Sequence, residues 1–508
     1  MGKYLLGLDA GNTVIKAVLF DLTGKQIASA EENGASLASK PGHVERDLNG
    51  LWRQAGTAIK KCISSASIDP AEIAAIGCAG HGNGLYLLDQ EQQPLLAIQS
   101  LDTRAVKIAA DLSAGGNDDL LQSLCLQRPW PSQTPTLLAW IKRNDPDLYS
   151  NIGTVFLCKD FVAFKLTGNR SSEVTDMSGC GLLKMPENTY SSDLLGAYDL
   201  ADAEALLPPL YQSTDVVGFV NTEAAEHTGL SIGTPVVGGL FDIVASALGS
   251  GTIETGQASI IAGTWSINQV VVKEPVKNSD IFMASSFDGA RFLEIEASAT
   301  SAVNLEWFAH ELMGAEIGSL SAAGGSIFDL CNELVQTVEP SLELPFFHPY
   351  IYGGATTANA RGGFYGLSGW HGRAHMLYGL FEGVVFGHRL HVEKLKRNGI
   401  EIDSVILSGG GSRSPIWPQM FADILGVKVS VAQARETGAL GAAITAGVGA
   451  GILPTYSSAV RQMTSIDKVY MPDPSKTQFF QTRFDLFLEI GHAMETVWAQ
   501  FENKINSK

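Results

Sequence analysis

Cysteine is scarce in this chain, and the few cysteines present are not spaced for a disulfide framework or a zinc site. The 508 residues include 6 cysteines, and none belongs to a Cys-x-x-Cys pair. Most lie in apolar stretches, which is typical of buried free thiols in a reducing cytoplasm. We therefore expect a cytoplasmic protein without disulfides. The six are Cys62, Cys78, Cys125, Cys158, Cys180 and Cys331.

Positive charge and long apolar runs are also in short supply. Lysine and arginine number 35 against 53 aspartates and glutamates, which gives a formal charge of −18. Such a chain repels a phosphate backbone, so bulk nucleic-acid binding is excluded, and an anionic nucleotide would have to be held locally by backbone amides and a metal. No uncharged apolar run could span a bilayer, and residues 1–6 lead directly into a predicted strand instead of a signal peptide. We expect no membrane partner and leave a homodimer open.

The familiar nucleotide-binding motifs are missing. The chain contains no GxxxxGK[ST], which excludes a Walker-type P-loop. It also contains no GxGxxG linked to a strand, which makes a dinucleotide-binding protein a poor interpretation. A nucleotide site, if present, must use another arrangement.

Strands alternating with helices predict layered α/β domains. The chain opens with strands at Tyr4–Leu8 and Val14–Asp21 around a small-residue turn, and a similar pattern recurs at Gln257–Val272. This weak internal repeat predicts two related domains, 1–250 and 251–508, each beginning with apolar strands. The other predicted strands are Gln26–Ala30, Ile73–Cys78, Leu85–Asp89, Pro235–Gly238, Ser404–Leu407 and Val427–Val431. The predicted helices are Leu48–Ser65, Arg104–Leu112, Asp242–Leu248, Ser301–Leu312, Arg373–Arg397, Pro415–Leu425, Thr437–Gly447 and a tail at 475–508 that should pack on the second domain.

Three turns of small residues follow predicted strands and could bind phosphate. They are Asp9–Thr13, Gly263–Thr264 and Gly409–Gly411. Glycine lets backbone N–H groups approach a phosphate closely, and a hydroxyl adds a further donor. Each turn alone is equally typical of an ordinary strand end. The first two turns are stronger candidates for phosphate binding because they occupy equivalent positions in the two halves of the chain.

Two carboxylates stand at the ends of apolar strands, where each needs a partner. Asp9 either caps its own turn or faces Mg²⁺ through water. Asp242 follows Val236–Phe241 and either serves as a helix N-cap or accepts a proton from a substrate hydroxyl.

Three further positions are candidates for contact with a sugar. His81 lies in a glycine-rich loop whose small neighbours would leave it accessible. Asp102 and Arg104 come just before a predicted helix, where the alternative is an N-cap beside a surface cation. Trp130, between two prolines, could stack on a sugar face or simply pack against its neighbours.

These turns, in this order, resemble the FGGY family of carbohydrate kinases, within the superfamily of actin, hexokinase and the heat-shock chaperone ATPases. The resemblance covers roughly residues 3 to 450. It implies two ribonuclease H-like α/β domains, with mixed sheets flanked by helices around a central cleft, that bind ATP, Mg²⁺ and a small sugar or polyol. The segments that carry it are Gly7–Thr13, Val236–Gly251, Gly263–Thr264, Ala360–Leu367, Glu382–Val384, Ser408–Trp417 and Glu436–Ala443.

The resemblance also implies a role for each matching residue. Asp242 would be the general base, and Asp9 would lie near the metal and the phosphates. Closure of the cleft would exclude water, which is a competing acceptor. By the same resemblance, the phosphates would be bound by Gly11, Asn12, Thr13, Gly263 and Thr264. The adenosine would be bound by Gly409, Gly410, Gly411 and Arg413. The sugar would be bound by Gly80, His81, Asp102 and Asp242, with Trp130 as a candidate for stacking on the sugar.

Several details bear on the substrate within the family. Gly80-His81 replaces the Arg-Glu pair of glycerol kinases, and a histidine here is similar to xylulokinases. Ile243, Leu101–Arg104 and Gly353–Asn359 depart from the usual pattern, which weakens D-xylulose. The Gly238–Asp242 and Asn304–Phe308 stretches look most like L-xylulose kinases. We therefore expect phosphorylation of a primary hydroxyl of a ketopentose such as L-xylulose or xylulose.

The alternatives are a kinase for erythritol, ribulose or glycerol, or an actin-like ATPase with no sugar substrate. A sugar-responsive repressor on the same fold should carry an N-terminal DNA-binding helix pair and a basic patch. An acidic chain that opens on a strand argues against it.

Overall fold

The structure is a computed structural model that describes residues 2–38, 40–322, 324–354 and 359–506. Part of the stretch Gly353–Asn359, namely residues 355–358, lies outside the described residues. Up to residue 255 the strands are β1 (Tyr4–Ala10), β2 (Val14–Asp21), β3 (Gln26–Asn33), β4 (Ile73–Gly80), β5 (Leu85–Asp89), β6 (Pro94–Ile98), β7 (Ile152–Phe156), β8 (Ser172–Glu173), β9 (Leu210–Tyr211), β10 (Val216–Phe219), β11 (Pro235–Val237) and β12 (Leu240–Phe241). The strands that follow are β13 (Gln257–Ala262), β14 (Ser266–Val272), β15 (Met283–Ser286), β16 (Phe292–Ser298), β17 (Phe346–His348), β18 (Gly363–Tyr365), β19 (Ser404–Ser408), β20 (Lys428–Ala432) and β21 (Ile466–Tyr470).

The helices follow the same chain order. In the first half they are α1 (Leu48–Ala66), α2 (Val106–Ala114), α3 (Asn117–Cys125), α4 (Thr134–Asn144), α5 (Pro146–Asn151), α6 (Cys158–Thr167), α7 (Val174–Gly179), α8 (Ser192–Ala197), α9 (Thr222–Thr228) and α10 (Asp242–Ser250). In the second half they are α11 (Val303–Leu312), α12 (Gly314–Ala322), α13 (Ile327–Gln336), α14 (Arg373–Arg397), α15 (Trp417–Leu425), α16 (Thr437–Gly449), α17 (Tyr456–Met463) and α18 (Pro474–Asn506). Among the described helices, none is both long and apolar enough to cross a bilayer.

The chain forms two compact units, and its path passes between them several times. The first unit comprises Met1–Thr255, Val271–Glu294 and Glu436–Ser465. The second comprises Gly256–Val270, Ile295–Arg435 and Ile466–Lys508. The first unit therefore includes two later segments, Val271–Glu294 and Glu436–Ser465. The sequence had suggested a single boundary near residue 250.

The main sheet of the first unit is mixed, with the strand order β10-β11-β4-β1-β2-β3 and with β12 also paired to β4. β1 is antiparallel to β2 and parallel to β4, and β12 is parallel to β4. These strands are rich in apolar residues on both faces, as is typical of strands covered by helices on both sides. The carboxyl ends of β1, β4 and β12 therefore lie at one edge of the sheet.

Helix α16 packs unusually close to this sheet because glycines remove the side chains in between. A Cβ added at Gly7 of β1 would lie 1.9 Å from the carbonyl oxygen of Ala439, and one at Gly77 of β4 would lie 2.1 Å from that of Ala442. Helix α1 packs on β2 and β3 and buries Leu51 and other apolar residues on its inner face. The helices thus cover the sheet, and α16 fixes the strands that carry the candidate turn.

The second unit repeats the opening arrangement of the first. β13 is antiparallel to β14 and parallel to β19, which is parallel to β20, and β21 joins antiparallel to β20. The turns at 11–13 and 263–265 therefore close equivalent hairpins. Helix α14 is largely buried, and the tail helix α18 is tied to it by Arg483, whose guanidinium makes two 2.6 Å bonds to the Glu382 carboxylate.

The fold class predicted from the sequence, two α/β domains with mixed sheets, is confirmed. Helix Arg373–Arg397 and strand Leu85–Asp89 have the predicted bounds, and the tail packs on the second unit as predicted. All six cysteines are buried and free, also as predicted. The helix predicted at Arg104–Leu112 begins later, at Val106, because Arg104 is bonded to Asp102.

Candidate active site

The turn between β1 and β2 presents backbone donors that have no acceptor. The Gly11 amide donates to the carbonyl oxygen of Val14 at 3.1 Å, which closes the hairpin. The amides of Asn12 and Thr13 donate to no acceptor within the described ranges. The Asn12 side chain is fixed by a 2.9 Å bond to the Ser100 hydroxyl. The turn is therefore rigid and offers two free N–H groups, which is the arrangement that binds phosphate oxygens.

The two candidate carboxylates lie on either side of β4. Ala79 of β4 is opposite Asp9 in one ladder and opposite Leu240 in the other. Asp242 is the first residue of α10, two residues beyond Leu240. It is not the N-cap, because that position belongs to Phe241 and no side chain caps this helix. The alternative role as a capping residue is therefore wrong, and both carboxylates lie at the same sheet edge.

Both carboxylates bind protons more tightly than usual. Burial raises the pKa of Asp9 to about 6, the neighbouring charge of Glu436 adds to the rise, and Lys16 opposes it. Burial raises the pKa of Asp242 to about 8, and the Asp9 charge raises it further, against a hydrogen bond from the Ile243 amide. A carboxylate with a pKa near neutrality is suited to accept a proton at physiological pH.

Lys16 and Glu436 form an ion pair beside Asp9, which the sequence did not predict. Lys16 is opposite Asp9 in the β1–β2 ladder, and its Nζ lies 2.9 Å from Oε2 of Glu436. The two partners are 420 residues apart in sequence. The only signal was that Glu436 opens one of the family-like segments, which carried no role for it.

The described residues support a metal site only in part. They include no group of three or more His, Cys, Asp or Glu side chains placed to hold a metal ion. Asp9 and Asp242 nevertheless form a half-buried pair of like charges, whose repulsion a cation would relieve. Mg²⁺ commonly binds through one or two carboxylates together with substrate phosphates and water. The donor set therefore fits a magnesium ion that arrives with a nucleotide.

His81 is far less accessible than its small neighbours suggested. It is 3% exposed, and its Nε2 lies 2.6 Å from the Tyr86 hydroxyl. Burial, assisted by the nearby charge of Arg46, lowers the pKa of His81 to about 3, so the ring is neutral. The prediction of an exposed histidine was wrong because Tyr86 and the surrounding core enclose the ring. Its contact with a sugar stays a prediction.

Asp102 and Arg104 form a buried ion pair. Asp102 is fully buried and accepts hydrogen bonds from the Val44 amide at 2.6 Å and from the Arg104 guanidinium at 2.8–3.0 Å. The alternative of an N-cap beside a surface cation was wrong, because Ala105 precedes the helix and the Arg104 side chain is only 4% exposed. Sugar contact by Asp102 stays a prediction, although its oxygens already have partners.

Trp130 and Gly80 complete the predicted sugar contacts. The Trp130 ring packs against Phe282 with centroids 5.5 Å apart, and its indole N–H has no hydrogen-bond partner among the residues that the structure describes. Gly80 ends β4, and a Cβ there would lie 2.9 Å from the Lys159 amide nitrogen. Gly80 therefore permits close packing of α6, whereas Trp130 keeps a donor free for a ligand.

In the second unit, two of the four predicted adenosine residues, Gly409 and Arg413, line a cavity of about 540 Å³, whereas Gly410 and Gly411 are not part of its lining. Gly409 has φ 84°, and a Cβ there would lie 2.8 Å from the Ala262 carbonyl oxygen, so glycine is required. A Cβ at Gly410 would meet nothing within 4 Å, which shows open space beside the backbone. Arg413, Arg435 and Lys468 supply positive charge to the cavity wall. This lining is chemically suited to a nucleotide.

Models of the two domains of one enzyme family match most of the chain. The N-terminal domain of the FGGY family of carbohydrate kinases matches residues 4–249, and its C-terminal domain matches residues 258–450. The chain belongs to the FGGY family of carbohydrate kinases. It is therefore a kinase of a carbohydrate substrate, with ATP as the phosphate donor, as predicted.

Individual relatives and a solved structure agree with this membership. The chain is 32% identical over 506 residues to the L-xylulose/3-keto-L-gulonate kinase of Escherichia coli K12, covering 99% of both chains. It is 28% identical to the autoinducer-2 kinase of Escherichia coli K12, covering 95% of this chain and 93% of the relative. The ligand-bound xylulose kinase of Lactobacillus acidophilus has the same fold, with a TM-score of 0.89 at 24% identity over 98% of this chain and 99% of that one.

Proposed function

We propose that this FGGY kinase phosphorylates a primary hydroxyl of a ketopentose, with L-xylulose as the first candidate. The observation that carries the proposal is the pair Asp9 and Asp242 at one sheet edge, beside the free amides of the Gly11–Thr13 turn. The choice of sugar is supported by the relative named for L-xylulose, which is 32% identical across 99% of the chain. Gly80-His81 in place of the Arg-Glu pair of glycerol kinases agrees with a substrate other than glycerol.

In the proposed reaction, Asp242 accepts the proton of the sugar hydroxyl as its oxygen attacks the γ-phosphorus. The bond from that phosphorus to the β–γ bridging oxygen breaks, and ADP leaves with the electron pair. The amides of Asn12 and Thr13, with Gly263 and Thr264, would bind phosphate oxygens, and fixed donors of this kind stabilise the developing charge. The cavity lined by Gly409 and Arg413 would bind adenosine, with Gly410 and Gly411 in the adjoining turn.

Asp9 is proposed to hold Mg²⁺ through water. The ion would neutralise charge on the transferred phosphoryl group. On the side of the protein, Lys16 and Glu436 orient and balance Asp9, as their effects on its pKa indicate. His81, with its neutral ring, and Trp130, with its free N–H, are the proposed contacts for sugar hydroxyls.

The autoinducer-2 kinase relative supports a second candidate substrate, autoinducer-2. The two candidates share the same chemistry at Asp242. They differ in the contacts that His81, Trp130 and their surroundings must make.

An ADP-release screen tests the proposal directly. L-xylulose, D-xylulose, L-ribulose, erythritol, glycerol and autoinducer-2 would each be offered with ATP and Mg²⁺, with ATP turnover in the absence of sugar as the background. We expect the highest kcat/KM with L-xylulose, and phosphorus NMR to place the phosphate on a primary hydroxyl. A higher kcat/KM with autoinducer-2 or a polyol would overturn the substrate assignment, and sugar-independent turnover would favour an ATPase.

The Asp242→Asn variant serves as the catalytic control. It keeps the shape of the side chain but cannot accept a proton. We expect nucleotide and sugar binding within a few-fold of wild type, and kcat reduced by about 10²–10⁴-fold, the usual contribution of a general base. Near-normal kcat in this variant would remove Asp242 from the base role.

A further inference from the structure

Arg46 is a buried arginine with no acidic partner. It is 4% exposed, and no Asp or Glu of the described chain lies within ion-pair distance of its guanidinium. Its Nη2 reaches the Gln54 side-chain oxygen at a long 3.4 Å, and its Nε has no partner at all. An uncompensated charge is costly to bury, so such a residue calls for a reason beyond packing. Within the part of the chain that the structure describes, no opposite charge compensates it.

The guanidinium lies directly beneath the β1–β2 turn. Its Nη1 donates to the carbonyl oxygen of Gly11 at 3.0 Å. Gly34 leaves room for the Arg46 guanidinium to approach the turn. A Cβ at position 34 would lie 2.8 Å from Nη2 of Arg46 and 2.7 Å from the carbonyl oxygen of Asn12. The Gly34 amide in turn donates to the Thr13 carbonyl oxygen at 2.6 Å. Arg46 is therefore built into the floor of the turn.

Peptide geometry links this contact to the free amide above it. The carbonyl of Gly11 and the N–H of Asn12 belong to one planar trans peptide, in which oxygen and hydrogen point in opposite directions. Holding the Gly11 oxygen toward Arg46 therefore aims the Asn12 N–H away from the guanidinium. That N–H is one of the two donors with no acceptor in the described structure.

We propose that Arg46 is a positioning residue for the terminal phosphates of the nucleotide. It fixes the Gly11–Asn12 peptide with its donor outward, and its uncompensated charge favours an anion at the turn. This inference rests on the proposed function only in placing phosphate at residues 11–13, and it does not depend on the identity of the sugar. Arg46 acts through the turn and does not touch the reacting atoms.

Nucleotide binding tests this role without any sugar. Calorimetry with Mg²⁺ would compare AMP-PNP, which carries the β- and γ-phosphates, with AMP, which lacks them, on the full-length protein. We expect Arg46→Gln to weaken AMP-PNP roughly 10- to 100-fold, the range for losing a charged hydrogen-bonding partner, and to leave AMP unchanged. Arg53→Gln is the matched control, since Arg53 lies nearby but is exposed and paired with Asp47 at 3.1 Å. It should match wild type with both ligands.

The Arg46→Lys variant separates charge from shape. Lysine keeps the positive charge but cannot reproduce the fork that holds the Gly11 oxygen. We expect AMP-PNP affinity between those of wild type and Arg46→Gln, with the KM for ATP raised and the KM for sugar unchanged. AMP-PNP affinity within two-fold of wild type in Arg46→Gln would overturn the proposal. If that variant does not fold, wild-type AMP-PNP affinity in Arg46→Lys would overturn it.

The two proposals fail in different ways. If no ketopentose is phosphorylated but Arg46→Gln loses AMP-PNP affinity, the substrate assignment falls and the role of Arg46 stands. If L-xylulose is phosphorylated by wild type and Arg46→Gln has an unchanged KM for ATP, the role of Arg46 falls and the substrate assignment stands.

Discussion

Asp242 stands where a carboxylate is poorly stabilised, and this is what suits it to chemistry. It lies in a largely apolar setting at the start of α10, with the like charge of Asp9 across β4. Both effects raise its pKa, to about 8. In the proposed role of general base, a carboxylate with this pKa would hold a proton firmly once it accepts one, and it would have to lose that proton before each turnover.

The pH dependence of catalysis should report the ionisation of Asp242. Below about pH 8 the free enzyme carries a protonated Asp242, which cannot accept the sugar proton. We therefore expect kcat/KM for the sugar to fall about ten-fold per pH unit as the pH drops below about 8. The profile would be measured at saturating ATP and Mg²⁺. A flat profile down to pH 6 would show that Asp242 is ionised throughout and would contradict the raised pKa.

The same shift predicts that Asp242 lowers the stability of the native protein. The pKa of Asp242 is about 8 in the native state and about 3.9 in the unfolded state, so between pH 3.9 and pH 8 the native state binds one more proton than the unfolded state. The free energy of unfolding therefore falls as the pH rises through that range. Asp242→Asn lacks this ionisation. We expect it to exceed wild type at pH 8 by about 1–2 kcal/mol in the free energy of unfolding, and to lose this advantage near pH 4. Denaturant titrations of both proteins at pH 8 and at pH 4 would measure these differences. Equal free energies of unfolding at pH 8 would contradict the raised pKa of Asp242.

His81 offers a test of the sugar contacts. Replacing His81 by alanine removes a neutral ring from the predicted pocket, and we expect the KM for sugar to rise about ten-fold or more with the KM for ATP unchanged. Tyr86→Phe is the control, because it removes the hydroxyl bonded to Nε2 but keeps the ring in place. It should change the KM for sugar much less. An unchanged KM in His81→Ala would exclude His81 from the pocket.

At the scale of elements, α16 holds together the parts of the first unit that carry the two carboxylates. It packs on β1 at Gly7 and crosses α10, whose first residue is Asp242. The crossing is close because each helix offers a glycine: a Cβ at Gly249 or at Gly441 would lie 1.9 Å from a carbonyl oxygen of the other helix. Small residues at this crossing therefore set how β1 and α10 are placed.

Adding a methyl group at this crossing should disturb both stability and activity. In Gly441→Ala the new Cβ would lie 1.9 Å from the Ala245 carbonyl oxygen, so the backbone must shift. We expect a loss of about 1–3 kcal/mol in the free energy of unfolding, together with reduced kcat. Gly318→Ala is the matched control, because Gly318 is also helical but its Cβ would meet nothing within 4 Å. It should be neutral or stabilising by up to about 1 kcal/mol, and equal effects in both variants would contradict the argument.

Local pattern predicted many of the elements, and the failures have a physical cause. Arg373–Arg397 has the predicted bounds because basic residues mark its last turn and glycine precedes it. Helix α6 was not predicted, since it is buried on nearly all sides and places Lys159 and Asp160 in the interior. Lys159 Nζ lies 2.5 Å from Asp160 Oδ1 there. Such a helix lacks the polar face by which amphipathic helices are identified.

The candidate site was predictable where function imposes a local pattern. Asp9, the Gly11–Thr13 turn and Asp242 could be found because each follows an apolar strand. The Lys16–Glu436 pair and the buried Arg46 could not, because they depend on contacts between distant segments. His81 was found, but its burial depends on Tyr86 and on core packing, which the sequence around it does not specify.

At the scale of the whole molecule, the route of the chain matters more than a single boundary. The first unit takes Val271–Glu294 and Glu436–Ser465 from the second half of the sequence. The latter segment includes α16, which buries Ala439, Leu440 and other small apolar residues against the sheet. A unit assembled in this way cannot be obtained by cutting the chain once.

A fragment ending at residue 250 should therefore not fold as a stable domain. Without α16, the face of β1 and β4 that it covers would be exposed to water, and Lys16 beside Asp9 would lose its ion-pair partner Glu436. We expect residues 1–250 to lack a cooperative thermal transition and to bind a hydrophobic dye, properties of a loosely packed state. Circular dichroism melting against the full-length protein would test this. A sharp transition in the fragment would contradict it.

The late position of α16 also has a consequence during synthesis. Translation at about 5–20 residues per second separates the completion of residue 255 from that of residue 465 by on the order of ten seconds or more. Throughout that interval the nascent chain carries an uncovered sheet face next to the turn that we propose to bind phosphate. We therefore expect ribosome-bound chains to recruit holdase chaperones, because the first unit is completed only when the last tenth of the chain is being made.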